Sequence, residues 1–236
     1  MSQIPISERA LVPTNVMHVP NYYKTQAPTR TLAWPTSELY LDLLEEGRSA
    51  GFGYPWYHLI SGYRDIATQQ RLWDAHPTKD RSVIAPPGKS SHHTGHSMDI
   101  FVGAKPGFSP TSSSSTNVSF QRAQKGYQHF RDHIAPKYGL WQLPTEPWHW
   151  ECDRDCRASY LERKYGIPRE LADEIASGAI DVPNGDLLAY IESENIETRA
   201  ANEESQEGSA ILSKVIIGTT LAALTVFGVY KFTSDS

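Results

Sequence analysis

Ten residues constrain this chain most. Ser90-Ser91-His92-His93-Thr94-Gly95-His96-Ser97-Met98-Asp99 places three histidines and a carboxylate in one short stretch. Some fifty residues later comes Glu146-Pro147-Trp148-His149-Trp150-Glu151. Together the two segments can supply two imidazoles and a carboxylate to a metal ion, with a second carboxylate to spare for proton transfer. Such a site forms only if the fold makes the two segments neighbours. The local pattern reads both as strands, Ser97 to Val102 and Pro147 to Cys152, so strand pairing is the expected means.

The rest of the chain is read around that requirement. Residues 1–33 carry several prolines and no sustained period, and read as an irregular arm. Ser37 to Arg48 forms a first helix, with Leu39, Leu43 and Leu44 on one face and Thr36 or Ser37 as N-cap. Trp56 to Ser61 is a strand, and Asp65 caps a second helix that runs to Asp74. Lys105 to Asn117 is a long Ser/Thr/Pro/Gly-rich loop, either a lid or substrate rim or a plain surface insertion. Phe120 to Pro136 is a third helix, with Phe120, Tyr127, Phe130 and Ile134 at helical spacing. The order helix, strand, helix, strand, helix, strand implies an α+β domain. It has a small antiparallel sheet with helices packed on one face. That domain spans residues 34–157.

Ala158 to Ile196 reads as a helical appendage with runs at Ser159–Tyr165, Pro168–Ser177 and Asp186–Glu194, and no chemistry is evident in it. Residues 197–209 form an acidic linker. Val215 to Tyr230 then holds no charged residue, and Lys214 and Lys231 flank it. The apolar span over 210–232 reaches the roughly 20 residues that cross a bilayer core of about 30 Å. It is read as a single C-terminal transmembrane helix in contact with the lipid bilayer. Met1 to Arg9 lacks the apolar run of a secretory signal. A net charge of -5 and the lack of any Lys/Arg-rich stripe exclude a nucleic-acid binder. Cys152 and Cys156 do not have metal-knuckle spacing; unpaired thiols are the plainer expectation, and a disulfide across one turn the alternative.

The motif set is more specific than any of its parts. Ser90-x-His92-x-x-Gly95-x-Ser97-x-Asp99 followed by Glu146-Pro-Trp-His149-Trp resembles the signature of the D-alanyl-D-alanine carboxypeptidase family of zinc peptidases. That group includes vancomycin-resistance D,D-carboxypeptidases and phage L-alanyl-D-glutamate endolysins, and shares a fold with lysostaphin-type enzymes and the hedgehog domain. Ser61-Gly62-Tyr63-Arg64, Gln69/Gln70 with Leu72-Trp73, and Pro87-Gly88 fit the upstream pattern. The resemblance covers about Leu39 to Glu151, and the Glu-Pro-Trp-His-Trp run matches the D,D-carboxypeptidase branch best.

The resemblance implies one zinc ion held by His92, Asp99 and His149. It implies Glu146 as catalytic base, Arg64 as stabiliser of the oxyanion or holder of the substrate carbonyl, and Ser90 as a substrate contact. The implied substrate is the peptide stem of peptidoglycan. Ser97 stands where the family usually has Ala, and Glu151 where relatives often have a basic residue; the second departure bears on substrate preference. His93 and His96 alternate with the motif residues and are expected at the rim or behind the ligands. His18, His58, His76, His129 and His133 are expected at the surface or in packing, and Trp148 and Trp150 in the core.

A tail anchor without a leader poses a topological problem for an enzyme of the cell wall. A virion membrane of a bacteriophage, with the protein acting in entry or lysis, resolves it; a bacterial inner membrane is the other setting. The competing reading is a catalytically inactive cell-wall-binding or structural membrane protein of a virion.

Overall fold

The computed structural model describes residues 16–18, 31–75, 84–182 and 186–193. The expected linker and membrane anchor lie outside these residues. Among the described residues no helix is long and apolar enough to cross a membrane. The chain divides into two compact units, residues 1–160 and 161–236.

The first unit is a mixed helix and sheet structure, as its periodicity implies. Its central sheet has four antiparallel strands, β3 (Leu59–Ser61), β4 (Ser97–Ile100), β6 (His149–Glu151) and β5 (Trp141–Gln142), in that spatial order. All are short. β4 pairs with β6 in the register Ser97↔Glu151, Met98↔Trp150 and Asp99↔His149. Because side chains alternate along a strand, Met98 and Trp150 point to one face, and Asp99, His149 and Glu151 to the other. The first face is the core. Met98 and Trp150 pack there with Leu39, Tyr40 and Leu43 of helix α1 (Thr36–Ser49) and with Phe130 and Ile134. Burying one such side chain contributes about 1.5–3 kcal/mol. Phe130 and Trp150 meet at 4.8 Å between ring centres. Both tryptophans of the Trp-His-Trp run are buried, as expected.

Helix α2 (Ile66–Ala75) starts as expected, with the Asp65 carboxylate accepting the Thr68 N–H. Helix α1 does not: its N-cap is Pro35 rather than Thr36 or Ser37. The Thr36 hydroxyl is engaged instead with His96 Nδ1 at 2.7 Å.

The arm is not irregular up to residue 33. β2 (Thr31–Ala33) pairs antiparallel with β1 (Val16–His18). β2 also braces the histidine-rich turn, because Ala33 N–H donates to the Gly95 carbonyl at 2.9 Å. Gly95 takes φ +73°, and a Cβ there would lie 2.8 Å from Ala33 Cβ. Both the left-handed backbone and the close approach demand glycine.

The expected third helix is interrupted. α3 (Ser115–Arg122) begins inside the expected loop. The chain then turns extended at Gln124 and resumes as α4 (Lys125–His129), a π-turn (Phe130–Ile134) and α5 (Ala135–Tyr138). The break lets Gly126 slide under Trp56, where a Cβ would be 2.3 Å from the indole. The loop before α3 is fastened from below by two buried amides. Asn117 Nδ2 donates to the carbonyls of Ser109 and Ser112, and Gln121 Nε2 to those of Gly103 and Pro110. That tethering disfavours a freely swinging lid.

Cys152 and Cys156 form a disulfide, so the thiol expectation is corrected. Asp153 between them turns the chain into α6 (Arg154–Tyr165), accepting the Cys156 N–H at 2.9 Å, and this brings the two sulfurs together. The second unit carries α7 (Arg169–Ser177) and a helical stretch at 187–193. Ala172, Ile175 and Ala176 form the buried side of α7.

Candidate metal centre

The Ser90–Asp99 stretch folds as a 3₁₀ turn (Ser91–Thr94), a left-handed Gly95 and strand β4. Ser90 is the N-cap of the turn, its hydroxyl 3.4 Å from His92 N. The turn presents His92 beside Asp99, and β6 brings His149 directly across from Asp99. One ligand atom from each of His92, Asp99 and His149 lies within 4.8 Å of the others, and all three residues are buried.

The individual contacts set the roles of the ring nitrogens. His92 Nδ1–H donates to the Gly62 carbonyl at 2.7 Å, which leaves Nε2 facing Asp99 Oδ2 at 3.3 Å. His149 Nδ1 lies 2.9 Å from Asp99 Oδ1. His149 Nε2 lies 3.1 Å from Glu151 Oε1 and 3.3 Å from Ser91 Oγ. A tetrahedral ion with bonds of about 2.0–2.1 Å sets its ligand atoms about 3.3 Å apart. The His92–Asp99 spacing matches that value. Each imidazole also has its second nitrogen anchored on an oxygen, as metal-binding imidazoles require. The residues fit a zinc-type ion.

Electrostatics agree with the geometry. Burial works against charge on His149, yet hydrogen bonds to Asp99 and Glu151 push its pKa up to about 10. Burial opposes charge on Asp99 too, but the two histidines hold its carboxyl well below the usual range. Burial draws His92 below its ordinary value. Nδ1 of His149 faces Asp99 Oδ1, so a cation held between them would have to displace a proton there.

Glu146 lies just before β6, where His149 N–H donates to its backbone carbonyl at 3.0 Å. Burial raises its carboxyl pKa, with His149 acting the other way and Asp99 adding to the rise. Arg64 lies 4.0 Å from Asp99 Oδ2, too far for a hydrogen bond, so it acts there by charge. Its guanidinium is fixed by Gln69 Oε1 at 2.8 Å and Ser61 Oγ at 3.0 Å. Burial lowers its pKa, and Asp99 and Glu146 work against that fall. Gln69 is fully buried, which explains an otherwise opaque part of the upstream pattern.

His93 and His96 stand outside the cluster. His93 Nδ1–H donates to the Arg64 carbonyl, and its Nε2 accepts from Gly88 N–H at 3.0 Å. It ties the turn to the Arg64 and Gly88 segments. His96, bound to Thr36, has its pKa held well below normal by burial. His129 stacks on Phe52 and His58 packs against Tyr54, both away from the cluster. The sequence reading missed two partners of His149, namely Ser91 and Glu151. Strand alternation was the available signal for Glu151, since residues two apart share a face.

Several known structures are similar to this chain. A structure of the LdcB LD-carboxypeptidase is 18% identical, with 70% of this chain and 80% of that chain covered and a TM-score of 0.46. The vancomycin-resistance D,D-pentapeptidase VanY of a VanB-type cassette, in complex with Zn(II), is 20% identical, with 72% and 92% covered and a TM-score of 0.35. DacB from Streptococcus pneumoniae is 22% identical, with 71% and 92% covered and a TM-score of 0.35. No curated protein matches. The family model for VanY, D-alanyl-D-alanine carboxypeptidase, matches residues 32–152, just over half of the 236 residues. The chain belongs to the VanY D-alanyl-D-alanine carboxypeptidase family.

Proposed function

We propose that the chain is a zinc-dependent peptidoglycan peptidase that hydrolyses peptide stems, as a D,D-carboxypeptidase or an endopeptidase. The observation that carries this is the buried convergence of His92, Asp99 and His149 inside a domain of this family. These three residues would hold one zinc ion and leave a coordination position open, the donor pattern of a catalytic site. Bound there, zinc acidifies a water molecule and polarises the scissile carbonyl.

The other residues act on substrate and protons. Glu146 takes the proton of the attacking water and hands it to the leaving amine. Its raised pKa suits a group that must both accept and give a proton near neutrality. Arg64, already fixed by Gln69 and Ser61, offers preorganised donors to the oxyanion. Ser90 contacts substrate from the cap of the His92 turn.

We further infer that residues 210–232 anchor the domain in a membrane, as a phage entry or lysis enzyme or at a bacterial inner membrane. The uncharged run between Lys214 and Lys231 supports the anchor. The Cys152–Cys156 disulfide supports a domain on an oxidising side, where peptidoglycan is met. Ending the chain after residue 209 should abolish co-sedimentation with lipid vesicles; an unchanged pellet would sink the anchor.

Two experiments address the chemistry. Glu146→Gln should keep zinc and lower turnover on purified peptidoglycan by at least about 10²–10⁴-fold. Wild-type turnover in that variant would remove Glu146 from its role, and free D-Ala against soluble muropeptides identifies the bond cut. The second is pH. Hydrogen bonds to Asp99 and Glu151 push the His149 pKa up to about 10 against the effect of burial, and zinc would have to displace that proton. Zinc affinity should therefore rise with pH, about tenfold per unit for one displaced proton, between pH 6.5 and 8. A flat profile in competition titrations would contradict the protonation of His149.

A further inference from the structure

Glu151 is 1% exposed, although it is a carboxylate on the central pair of strands. A charged group is kept in such a place only by strong partners. One of them is His149, whose Nε2 is 3.1 Å from Glu151 Oε1. The contact is built by strand geometry. Glu151 follows His149 by two residues on β6, so both side chains share a face, while Trp150 between them is committed to the core. Ser91 Oγ stands beside the same nitrogen at 3.3 Å.

His149 is thus gripped from both sides, by Asp99 at Nδ1 and by Glu151 at Nε2. An imidazole that binds a metal through one nitrogen must carry its proton on the other, and that proton needs an acceptor. We propose that Glu151 is the positioning residue of the metal centre: its carboxylate accepts the Nε2–H of His149, fixes that tautomer and ring orientation, and presents Nδ1 to the ion. The assignment rests on the zinc reading above. It gives this position a role behind the metal rather than in substrate preference. Outer partners of this kind are typically worth 10–100-fold in metal affinity.

The test measures zinc binding by the purified full chain, by competition with a chromophoric chelator, together with thermal melting of the chelator-stripped protein. Glu151→Gln keeps the shape of the side chain and removes its charge. We expect its zinc dissociation constant to rise about 10–100-fold, with partial recovery in Glu151→Asp. An unchanged dissociation constant in a folded Glu151→Gln protein overturns the proposal and leaves the zinc reading standing. A wild-type chain that binds no zinc overturns both. Should the variants fail to fold, the wild-type protein decides. In histidine-labelled, zinc-loaded protein, nitrogen NMR should show His149 protonated at Nε2 with a slowly exchanging proton. A proton at Nδ1, or a metallated Nε2, overturns the proposal.

Discussion

Everything at this site depends on one cross-strand register, Asp99 opposite His149. In an antiparallel pair, directly opposed side chains on one face stand about 4.5–5.5 Å apart at Cβ. That is close enough for a carboxylate and an imidazole to share an ion without further help from the backbone. A slip of β6 by one residue would turn His149 into the core and Trp150 out of it, away from Asp99. The aromatic and aliphatic packing behind the sheet therefore does more than stabilise the fold. By holding Trp150 against Phe130 it also fixes which way His149 points.

Short strands give such a register little support of their own, and the molecule supplies it elsewhere. Gly95 lets the turn close against β2, His93 ties that turn to the Arg64 and Gly88 segments, and His96 binds Thr36 at the start of α1. Two of the three clustered histidines are thus structural pins, and only His92 turns a nitrogen toward Asp99. Two carboxylates and two imidazoles tolerate burial here because their opposite charges and hydrogen bonds compensate the loss of water.

The convergence of His92, Asp99 and His149 was legible in the sequence through the resemblance of the combined motifs, not through the spacing of any two of them. Family membership and the mixed helix and antiparallel sheet architecture agree with that reading. What was not legible depended on contacts distant in sequence. The break at Gln124 answers to Trp56 packing on Gly126, and the loop before α3 is held by amides that composition alone cannot distinguish from surface residues. The pairing of Thr31–Ala33 had no alternation to announce it. The disulfide depended on how Asp153 turns the chain into α6. In the sequence Glu151 stands out only as a departure bearing on substrate preference; its place beside His149 Nε2 comes from the shared face of β6.

The central claim is that this register makes a zinc centre. Anomalous diffraction at the zinc edge, from crystals of zinc-loaded protein, tests it most directly. A single strong peak flanked by His92 Nε2, the Asp99 carboxylate and His149 Nδ1 is the expected result. A peak elsewhere, or none among these atoms at full zinc loading, would contradict the account.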